Sequence, residues 1–224
     1  MTGPQVSELI IRGIVVGVFA ENCWIIGSRR TGEAIVIDPG DQPEDILALA
    51  RDMDVKIKLI ACSHGHLDHI LGVGGVQAAT GASFLLHSQD LPMVRGAASS
   101  ATMWLGRAVD PPPDPDAFLS DGDEVAVAGV TLKVIHTSGH TPGSVSFYTD
   151  GMLFSGDTLF QGSIGRTDMP GGSYEQEMSS IVDKLMKLPD DTIVRPGHMG
   201  ETRIGIERET NPFILEELAR RRGG

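Results

Sequence analysis

The sequence predicts an α+β fold built from short strands and helices around one hydrophobic core. Its 224 residues suit one domain, so we take residues 1–224 as a single domain. Glycine occurs 28 times and proline 13 times, and such frequent turn residues favour many short strands over a helical bundle. Strand-like and helix-like segments occur in groups without strict alternation, which argues against a regular βαβ protein.

The first part of the chain predicts strands that lead into helices. Segments rich in β-branched residues and bounded by turns predict strands at Val6–Ala20, Asn22–Ile26, Glu33–Asp38, Val55–Cys62 and Ala82–His87. Glu44–Asp52 has apolar residues at helical spacing and acidic residues in its first turn, so it predicts a helix. A second helix is expected from Asp68 to Gly81.

The second part of the chain begins with its least regular stretch, Gln89–Ser120. Prolines at 111–113 and 115 prevent one continuous helix there, so we expect a surface excursion that is helical only around Ala97–Ala108. Strands are then predicted at Glu124–Val127, Thr131–His136, Val145–Thr149, Met152–Ser155 and Thr192–Arg195. Amphipathic spacing predicts helices at Tyr174–Leu188 and Asn211–Arg222.

Composition argues against several partners. The formal net charge of −12 is unlike that of nucleic-acid binders, and the basic cluster Arg220–Arg222 is expected to be a frayed, solvated tail. We find no apolar run long enough to span a membrane and no secretory signal, so we expect a cytoplasmic protein without a membrane partner. Cys23 and Cys62 lie in apolar sequence and are expected to be buried thiols.

The most informative segment is Ser63–His69, which contains three histidines and an aspartate. His64 and His66 are two residues apart, so an extended backbone points both side chains to one side. Asp68 and His69 follow at the expected start of a helix, where they can face the same cavity. Imidazole and carboxylate are ligands that zinc and iron prefer, so the segment predicts a metal site rather than a solvated turn.

Three further residues at the ends of predicted strands extend this set. His140 and His198 each follow a strand directly, and Asp157 ends the strand that starts near Met152. Loops at strand ends are where ligand sites of layered folds gather. One such histidine would be unremarkable alone, but together with the preceding cluster these residues are better explained as metal ligands.

These motifs resemble those of the metallo-β-lactamase superfamily. The resemblance is carried by His64-x-His66-x-Asp68-His69, Gly139–Gly143, Ser155–Thr158 and Pro196–His198, in their usual order. Within that superfamily, Gly162–Asp168, Leu188–Thr192 and Asn211–Phe213 are similar to segments of glyoxalase II, the hydroxyacylglutathione hydrolase, and its short relatives. The resemblance implies an αββα sandwich of two facing mixed sheets flanked by helices.

The resemblance also implies a site with two divalent metal ions, zinc or iron or both, with manganese possible. His64, His66 and His140 would hold the first ion, Asp68, His69 and His198 the second, and Asp157 would bridge them. The chain stops soon after Phe213, so the basic C-terminal extension with which glyoxalase II contacts glutathione is expected to be missing. After His198 the relatives usually continue with Gly-Pro, whereas this chain has Met199-Gly200.

The predicted activity is hydrolysis of hydroxyacyl thioesters such as S-D-lactoylglutathione by a metal-bound hydroxide. Asp68 is expected to orient the nucleophile, and Arg166 and Tyr174 to contact the small-molecule substrate, although Arg166 could instead pair with Asp168. The competing activities are persulfide dioxygenase with a single iron, suggested by Gly165–Asp168, and lactonase or β-lactamase on the same fold. His87 and His136 are expected to be ordinary histidines.

Overall fold

A computed structural model describes residues 8–106 and 108–223 of the chain. Its first sheet consists of β1 (Leu9–Val16), β2 (Glu21–Ser28), β3 (Glu33–Ile37), β4 (Lys56–Ala61), β5 (Ser83–His87) and β6 (Ala117–Leu119). Within the described residues these strands are hydrogen-bonded in sequence order. The strands β1 to β3 are antiparallel and β3 to β6 are parallel, so this sheet is mixed.

The second sheet is built from the C-terminal half. It consists of β7 (Glu124–Val127), β8 (Val130–His136), β9 (Val145–Thr149), β10 (Met152–Gly156), β13 (Ile193–Pro196) and β14 (Thr202–Arg203). Their order is β14-β13-β10-β9-β8-β7, with β10 parallel to β13 and the other neighbours antiparallel. A small antiparallel ribbon pairs β11 (Leu159–Phe160) with β12 (Ser163–Ile164).

Helices connect and cover the sheets. They are α1 (Pro43–Asp52), α2 (Leu67–Ile70), α3 (Val73–Thr80), α4 (Leu91–Leu105), α5 (Tyr174–Asp183), α6 (Ile204–Thr210) and α7 (Pro212–Gly223), with short 3₁₀ turns at Ser88–Asp90 and Leu185–Lys187. No helix in the described part of the chain has the length and apolar character needed to cross a membrane.

The two sheets face each other across an apolar layer, and helices cover their outer faces. Strand β3 illustrates this arrangement, because its successive residues point alternately into two different cores. Ile35 and Ile37 pack with Phe147 of the second sheet, whereas Ala34 and Val36 pack with the core beneath α1, α3 and α4. A third core lies between the second sheet and α5 to α7. This is the predicted αββα arrangement of two mixed sheets flanked by helices.

The strand directions bring the candidate site residues to one edge. The parallel strands β3, β4 and β5 end at Ile37, Ala61 and His87, so the loops that follow them lie side by side. In the second sheet β8, β10 and β13 run in the same direction, because β9 lies antiparallel between β8 and β10. Ligand sites of such sheets form outside the carboxyl ends of their strands.

The helix predicted over Asp68–Gly81 is wrong as a single element. It is divided into α2 and α3, and the break falls at Leu71 and Gly72. The amide of Gly72 donates to the carbonyl of Pro39 at 2.8 Å, and a Cβ at Gly72 would lie 2.6 Å from that oxygen. The loop after β3 therefore packs against the chain at this point, which ends one helix and starts another.

The irregular stretch expected at Gln89–Ser120 contains a longer helix than predicted. Helix α4 has 15 residues and begins before Ala97, because Pro92 lies in its first turn, where a missing amide is tolerated. Val94, Ala97 and Ala101 form its buried face. The helix stops at Leu105, and the prolines that were expected to interrupt it lie beyond its end.

Both ends of the chain differ from their predictions. Strand β1 ends at Val16 and is followed by a turn, while Val6 and Ser7 of the predicted strand lie outside the described residues. The expected frayed tail is instead part of α7, where Arg220 and Arg221 both bind the Glu217 carboxylate. Opposite charges three and four residues apart face each other on a helix, which explains the pairing.

Of two smaller predictions, the limit of the helix that starts at Tyr174 is wrong and the state of the cysteines is confirmed. The helix expected to run to Leu188 ends at Asp183 and is continued by the 3₁₀ turn. Cys23 and Cys62 are both buried free thiols, as predicted.

Candidate metal centre

Three histidine nitrogens converge at the sheet edge. His64 and His66 lie in the loop after β4, and His140 lies in the loop between β8 and β9. Nδ1 of His66 is 3.0 Å from Nε2 of His64 and 2.9 Å from Nε2 of His140. Because the three nitrogens surround one point, they can hold a metal ion together.

A second group lies beside the first and combines two histidines with a carboxylate. Asp68 and His69 are the second and third residues of α2, and His198 follows β13. Nε2 of His198 is 3.2 Å from Oδ2 of Asp68, and Nε2 of His69 is 3.9 Å from the same oxygen. These three side chains can also hold a metal ion.

Asp157 lies between the two groups. Its Oδ1 is 3.4 Å from Nε2 of His69, and its Oδ2 is 3.5 Å from Nε2 of His198 and 3.7 Å from Nε2 of His140. The next loop approaches closely, since a Cβ at Gly197 would lie 2.4 Å from Oδ1. One carboxylate therefore faces histidines of both groups, which is the position a bridging ligand requires.

Hydrogen bonds fix the orientation of three of the imidazole rings. Nδ1 of His140 donates to the carbonyl of Arg166 at 2.7 Å. Nδ1 of His64 is 3.0 Å from Oγ of Ser63, which in turn donates to Asp38. Nδ1 of His69 lies 3.1 Å from the same Asp38 carboxylate. Each ring thus uses its outer nitrogen for protein contacts and turns its Nε2 inward, as metal-binding histidines do.

The proton affinities of these side chains reflect burial and mutual charge. Burial lowers the pKa of His64, and burial with the nearby His140 lowers the pKa of His66 to about 4. Burial opposes protonation of His69 too, but Asp157 and other carboxylates outweigh it and raise its pKa well above the usual value. The lowered pKa values of His64 and His66 favour their neutral imidazole forms, which have a lone pair for a cation.

Unpaired atoms at the centre show that a cation fits. Nε2 of His69 and Oδ1 of Asp157 are buried, and neither has a hydrogen-bond partner. A buried polar atom left unpaired costs about 1–3 kcal/mol, so such atoms indicate where a cation would be bound. Imidazole and carboxylate donors suit zinc, iron or manganese, and the arrangement can bind and polarise an oxygen ligand.

Asp90 joins the loops that carry the first histidines, although the sequence interpretation did not single it out. It is fully buried and lies in the 3₁₀ turn after β5. Its carboxylate accepts from the amides of Gly65 and Gly143, at 2.9 and 2.8 Å, and from the hydroxyl of Thr141 at 2.7 Å. One side chain therefore spans the loop after β4 and the loop between β8 and β9.

Two buried glutamates also adjoin the centre. Oε2 of Glu177 accepts from the amide of His140 at 2.8 Å, and Oε1 of Glu21 lies 3.9 Å from Nδ1 of His69. Burial raises the pKa of each glutamate well above the usual value. Glu177 therefore helps to place the His140 loop.

Of the two predicted substrate contacts, the structure places Arg166 at the groove and Tyr174 outside its described lining. Arg166 lines the groove above the centre, but its guanidinium binds Asp168 through two hydrogen bonds of 2.8 and 2.9 Å. Tyr174 is partly exposed at the start of α5 and is not among the described residues that line this groove. The pairing of Arg166 with Asp168 is the alternative that the sequence left open.

The two remaining histidines pack against each other outside these groups. The rings of His87 and His136 are stacked with centroids 4.4 Å apart, and Nε2 of His136 donates to the carbonyl of Pro142 at 2.9 Å.

A layered fold of two mixed sheets with a His/Asp metal site at one edge defines a class of metal-dependent enzymes. Residues 16–198 match the family model for the metallo-beta-lactamase superfamily, and the chain belongs to that superfamily. A curated relative from Haemophilus influenzae, the hydroxyacylglutathione hydrolase GloC, is 34% identical over 209 residues, which is 90% of this chain and 96% of the relative. The protein is a metal-dependent hydrolase of this superfamily.

Solved structures agree with the fold. The BLEG-1 B3 metallo-beta-lactamase has a TM-score of 0.85 at 33% identity and covers 92% of this chain and 99% of its own. TTHA1623 in a di-iron-bound form has a TM-score of 0.81 at 37% identity, and the match covers 90% of this chain and 99% of TTHA1623. ETHE1 from Myxococcus xanthus has a TM-score of 0.76 at 28% identity, and the match covers 91% of this chain and 83% of ETHE1.

Proposed function

We propose that the protein hydrolyses thioesters, including hydroxyacyl thioesters such as S-D-lactoylglutathione, with two divalent metal ions. The observation that carries this proposal is the position of Asp157 between two complete groups of ligand side chains. The hydroxyacylglutathione hydrolase of Haemophilus influenzae supports the substrate class, and the di-iron form of TTHA1623 supports the metal count.

The seven side chains have distinct roles in this proposal. His64, His66 and His140 would hold one cation, Asp68, His69 and His198 would hold the other, and Asp157 would be shared between them. Zinc, iron or manganese ions held here would act as Lewis acids and lower the pKa of a bound water to about 7.

The other steps depend on the protein's own groups. Asp68 is partly exposed toward the groove, where its carboxylate accepts a hydrogen bond from the attacking water and orients it. The water loses one proton to solvent as its oxygen forms a bond to the acyl carbon. The carbon–sulfur bond then breaks, the thiolate leaves with the electron pair, and the acyl product loses the second proton and leaves as a carboxylate. A thiolate is a stable leaving group near neutral pH, so no separate general acid is required.

Persulfide dioxygenase activity is the second candidate, and the similarity to ETHE1 favours it. That reaction needs one redox-active iron, whereas hydrolysis uses a pair of metal ions. Asp68, His69 and His198 form a second ligand group beside the first, which favours hydrolysis. Lactone and β-lactam hydrolysis would use the same groups, and the likeness to the BLEG-1 B3 metallo-beta-lactamase makes a β-lactam a necessary comparison substrate.

An oxygen-electrode experiment paired with a thioester assay separates the two reactions. We expect the zinc-loaded protein to cleave S-D-lactoylglutathione at the same rate in air and under nitrogen. We expect no oxygen uptake with glutathione persulfide, even after reconstitution with ferrous iron. Iron-dependent oxygen uptake without thioester cleavage would overturn the proposal in favour of the dioxygenase, and exclusive turnover of a β-lactam would overturn it in favour of a lactamase.

A further inference from the structure

Three elements place exposed apolar side chains around one opening. Phe19 lies in the turn between β1 and β2, Trp104 in the last turn of α4, and Met199 in the loop after β13. They are 42%, 59% and 62% exposed. All three line the groove of about 400 Å³ that contains the side chains of the candidate metal centre.

The inner wall of this groove is also largely apolar. Leu67, Phe160, Ile164 and Met169 also line it, and these four side chains are buried or half-buried. Large exposed apolar side chains that converge from separate elements mark a binding surface, because their contact with water is unfavourable. A concave apolar groove with a few polar groups at its floor is the usual form of a small-molecule site.

The described lining residues of the groove include few cationic side chains outside the candidate metal centre. Arg166 is the one lysine or arginine among those residues, and its guanidinium is already held by Asp168. Asp68 and Asp157 also line the groove, but the proposed function assigns their carboxylates to the metal ions. Among the described lining residues, therefore, no lysine or arginine side chain is left to pair with the carboxylates of a peptide-like thiol such as glutathione.

We infer that the groove selects acyl substrates that carry an apolar alkyl or aryl group within a few bonds of the scissile bond. This inference rests on the proposed function for the reaction itself. Trp104, Phe19 and Met199 are the specificity-determining residues, since they cover the apolar group while the carbonyl lies at the metal centre.

Binding of non-hydrolysable thioethers tests the groove without catalysis. Calorimetric titration of the metal-loaded protein with S-methylglutathione and S-hexylglutathione compares two ligands that differ by five methylenes. A methylene fully removed from water favours binding about fourfold, so a chain half buried in an open groove gains about twofold for each methylene. We expect S-hexylglutathione to bind at least about tenfold more tightly.

Variants of Trp104 and Phe19, which lie on two different elements, test whether the exposed apolar side chains cause the preference for the hexyl ligand. Trp104→Ala and Phe19→Ala should each reduce the preference for the hexyl ligand by at least about threefold, because each removes part of the cover. Met103→Ala is the matched control, since Met103 precedes Trp104 on α4, is 79% exposed and does not line the groove. We expect Met103→Ala to leave the preference unchanged.

Two series of thioesters show which side of the substrate carries the apolar group. The first series lengthens the acyl group from acetyl to hexanoyl on one small neutral thiol, and the second lengthens the thiol of an acetyl thioester. We expect kcat/KM to rise at least about tenfold in one series, and Trp104→Ala to remove most of that rise.

Equal binding of the methyl and hexyl ligands would overturn the inference. So would an unchanged preference for the hexyl ligand in both Trp104→Ala and Phe19→Ala. A hexyl preference that depends on Trp104, combined with no cleavage of any thioester, would support the apolar groove and overturn the proposed thioester hydrolysis. Cleavage of all thioesters at equal kcat/KM, with equal ligand binding, would support hydrolysis and overturn the apolar selection.

Discussion

Asp157 connects the two ligand groups because its two carboxylate oxygens point to different histidines. Oδ1 lies nearest His69, while Oδ2 lies nearest His198 and His140. A single substitution at this residue should therefore affect both metal ions rather than one. The other ligand side chains each belong mainly to one group, so their substitution should have a more selective effect.

We predict that Asp157→Ala lowers the occupancy of both metal ions. Protein purified without added metal should contain about two equivalents of zinc, iron or a mixture. Elemental analysis of Asp157→Ala should show well under half of that content, because both ions lose a shared anionic ligand. His87→Ala is the control, since His87 lies outside the ligand groups and should retain the full content. Full metal retention in Asp157→Ala would show that this residue is not the bridge.

The residues of the metal centre differ in how visible they are in the sequence. His64, His66, Asp68 and His69 lie within six positions, so their chemistry is evident as a local motif. Asp90 contributes from 25 residues beyond Gly65, and a single aspartate at that distance has no distinctive pattern. Its position in the short turn that follows β5, comparable to that of Asp38 directly after β3, was the available signal. Only the pairing of parallel strands shows that such residues become neighbours.

At the scale of elements, local sequence predicted the type of most segments better than their limits. The helix α1 agrees with the prediction to within one residue, because its apolar spacing and acidic first turn are local features. The break between α2 and α3 depends on contact between Gly72 and Pro39, which are 33 positions apart by their residue numbers. The early start of α4 was missed because the prolines at 111–113 and 115 led us to expect an irregular stretch, whereas Pro92 lies in the first turn of the helix and is tolerated there.

Asp90 acts at this scale because it holds three segments together. We predict that Asp90→Ala destabilises the protein by roughly 3–5 kcal/mol, since three buried donors lose their acceptor. Denaturant unfolding of the metal-free protein would measure this loss, and the histidine loops should also bind metal more weakly. Asp114→Ala is the matched control, because its pair with Arg95 is exposed and should contribute little. Equal midpoints for the two variants would contradict the role assigned to Asp90.

At the scale of the whole molecule, the metal centre exists only when both sheets are in place. Its ligands follow β4 of the first sheet and β8, β10 and β13 of the second. The sequence could not specify this arrangement through local patterns, since neither the facing of the sheets nor their strand order is encoded in any one segment. It became predictable only through the order of the motifs and their resemblance to a known superfamily. The folding of the two sheets and metal binding should therefore be coupled.

We predict that removal of the two metal ions lowers the melting temperature by roughly 10–20 °C. Ions that bind only the folded protein stabilise it by about 2.7 kcal/mol per site at a free concentration 100 times Kd. For a chain of this size, 1 kcal/mol corresponds to about 2–4 °C, so each occupied site should add roughly 5–10 °C. Scanning calorimetry at one heating rate, before and after dialysis against a chelator, measures the difference.

Re-addition of zinc should restore the original melting temperature, whereas magnesium should not, because histidine ligands suit zinc and magnesium prefers oxygen. Asp157→Ala should show a smaller shift than the unsubstituted protein, since its ions are held by fewer ligands. His87→Ala should show the full shift. If complete metal removal, verified by elemental analysis, left the melting temperature unchanged, the ligand side chains would not form a site that depends on the assembled sheets. We expect a shift because the ligands are far apart in the sequence and come together only in the folded chain, so an unfolded chain should bind the ions much more weakly.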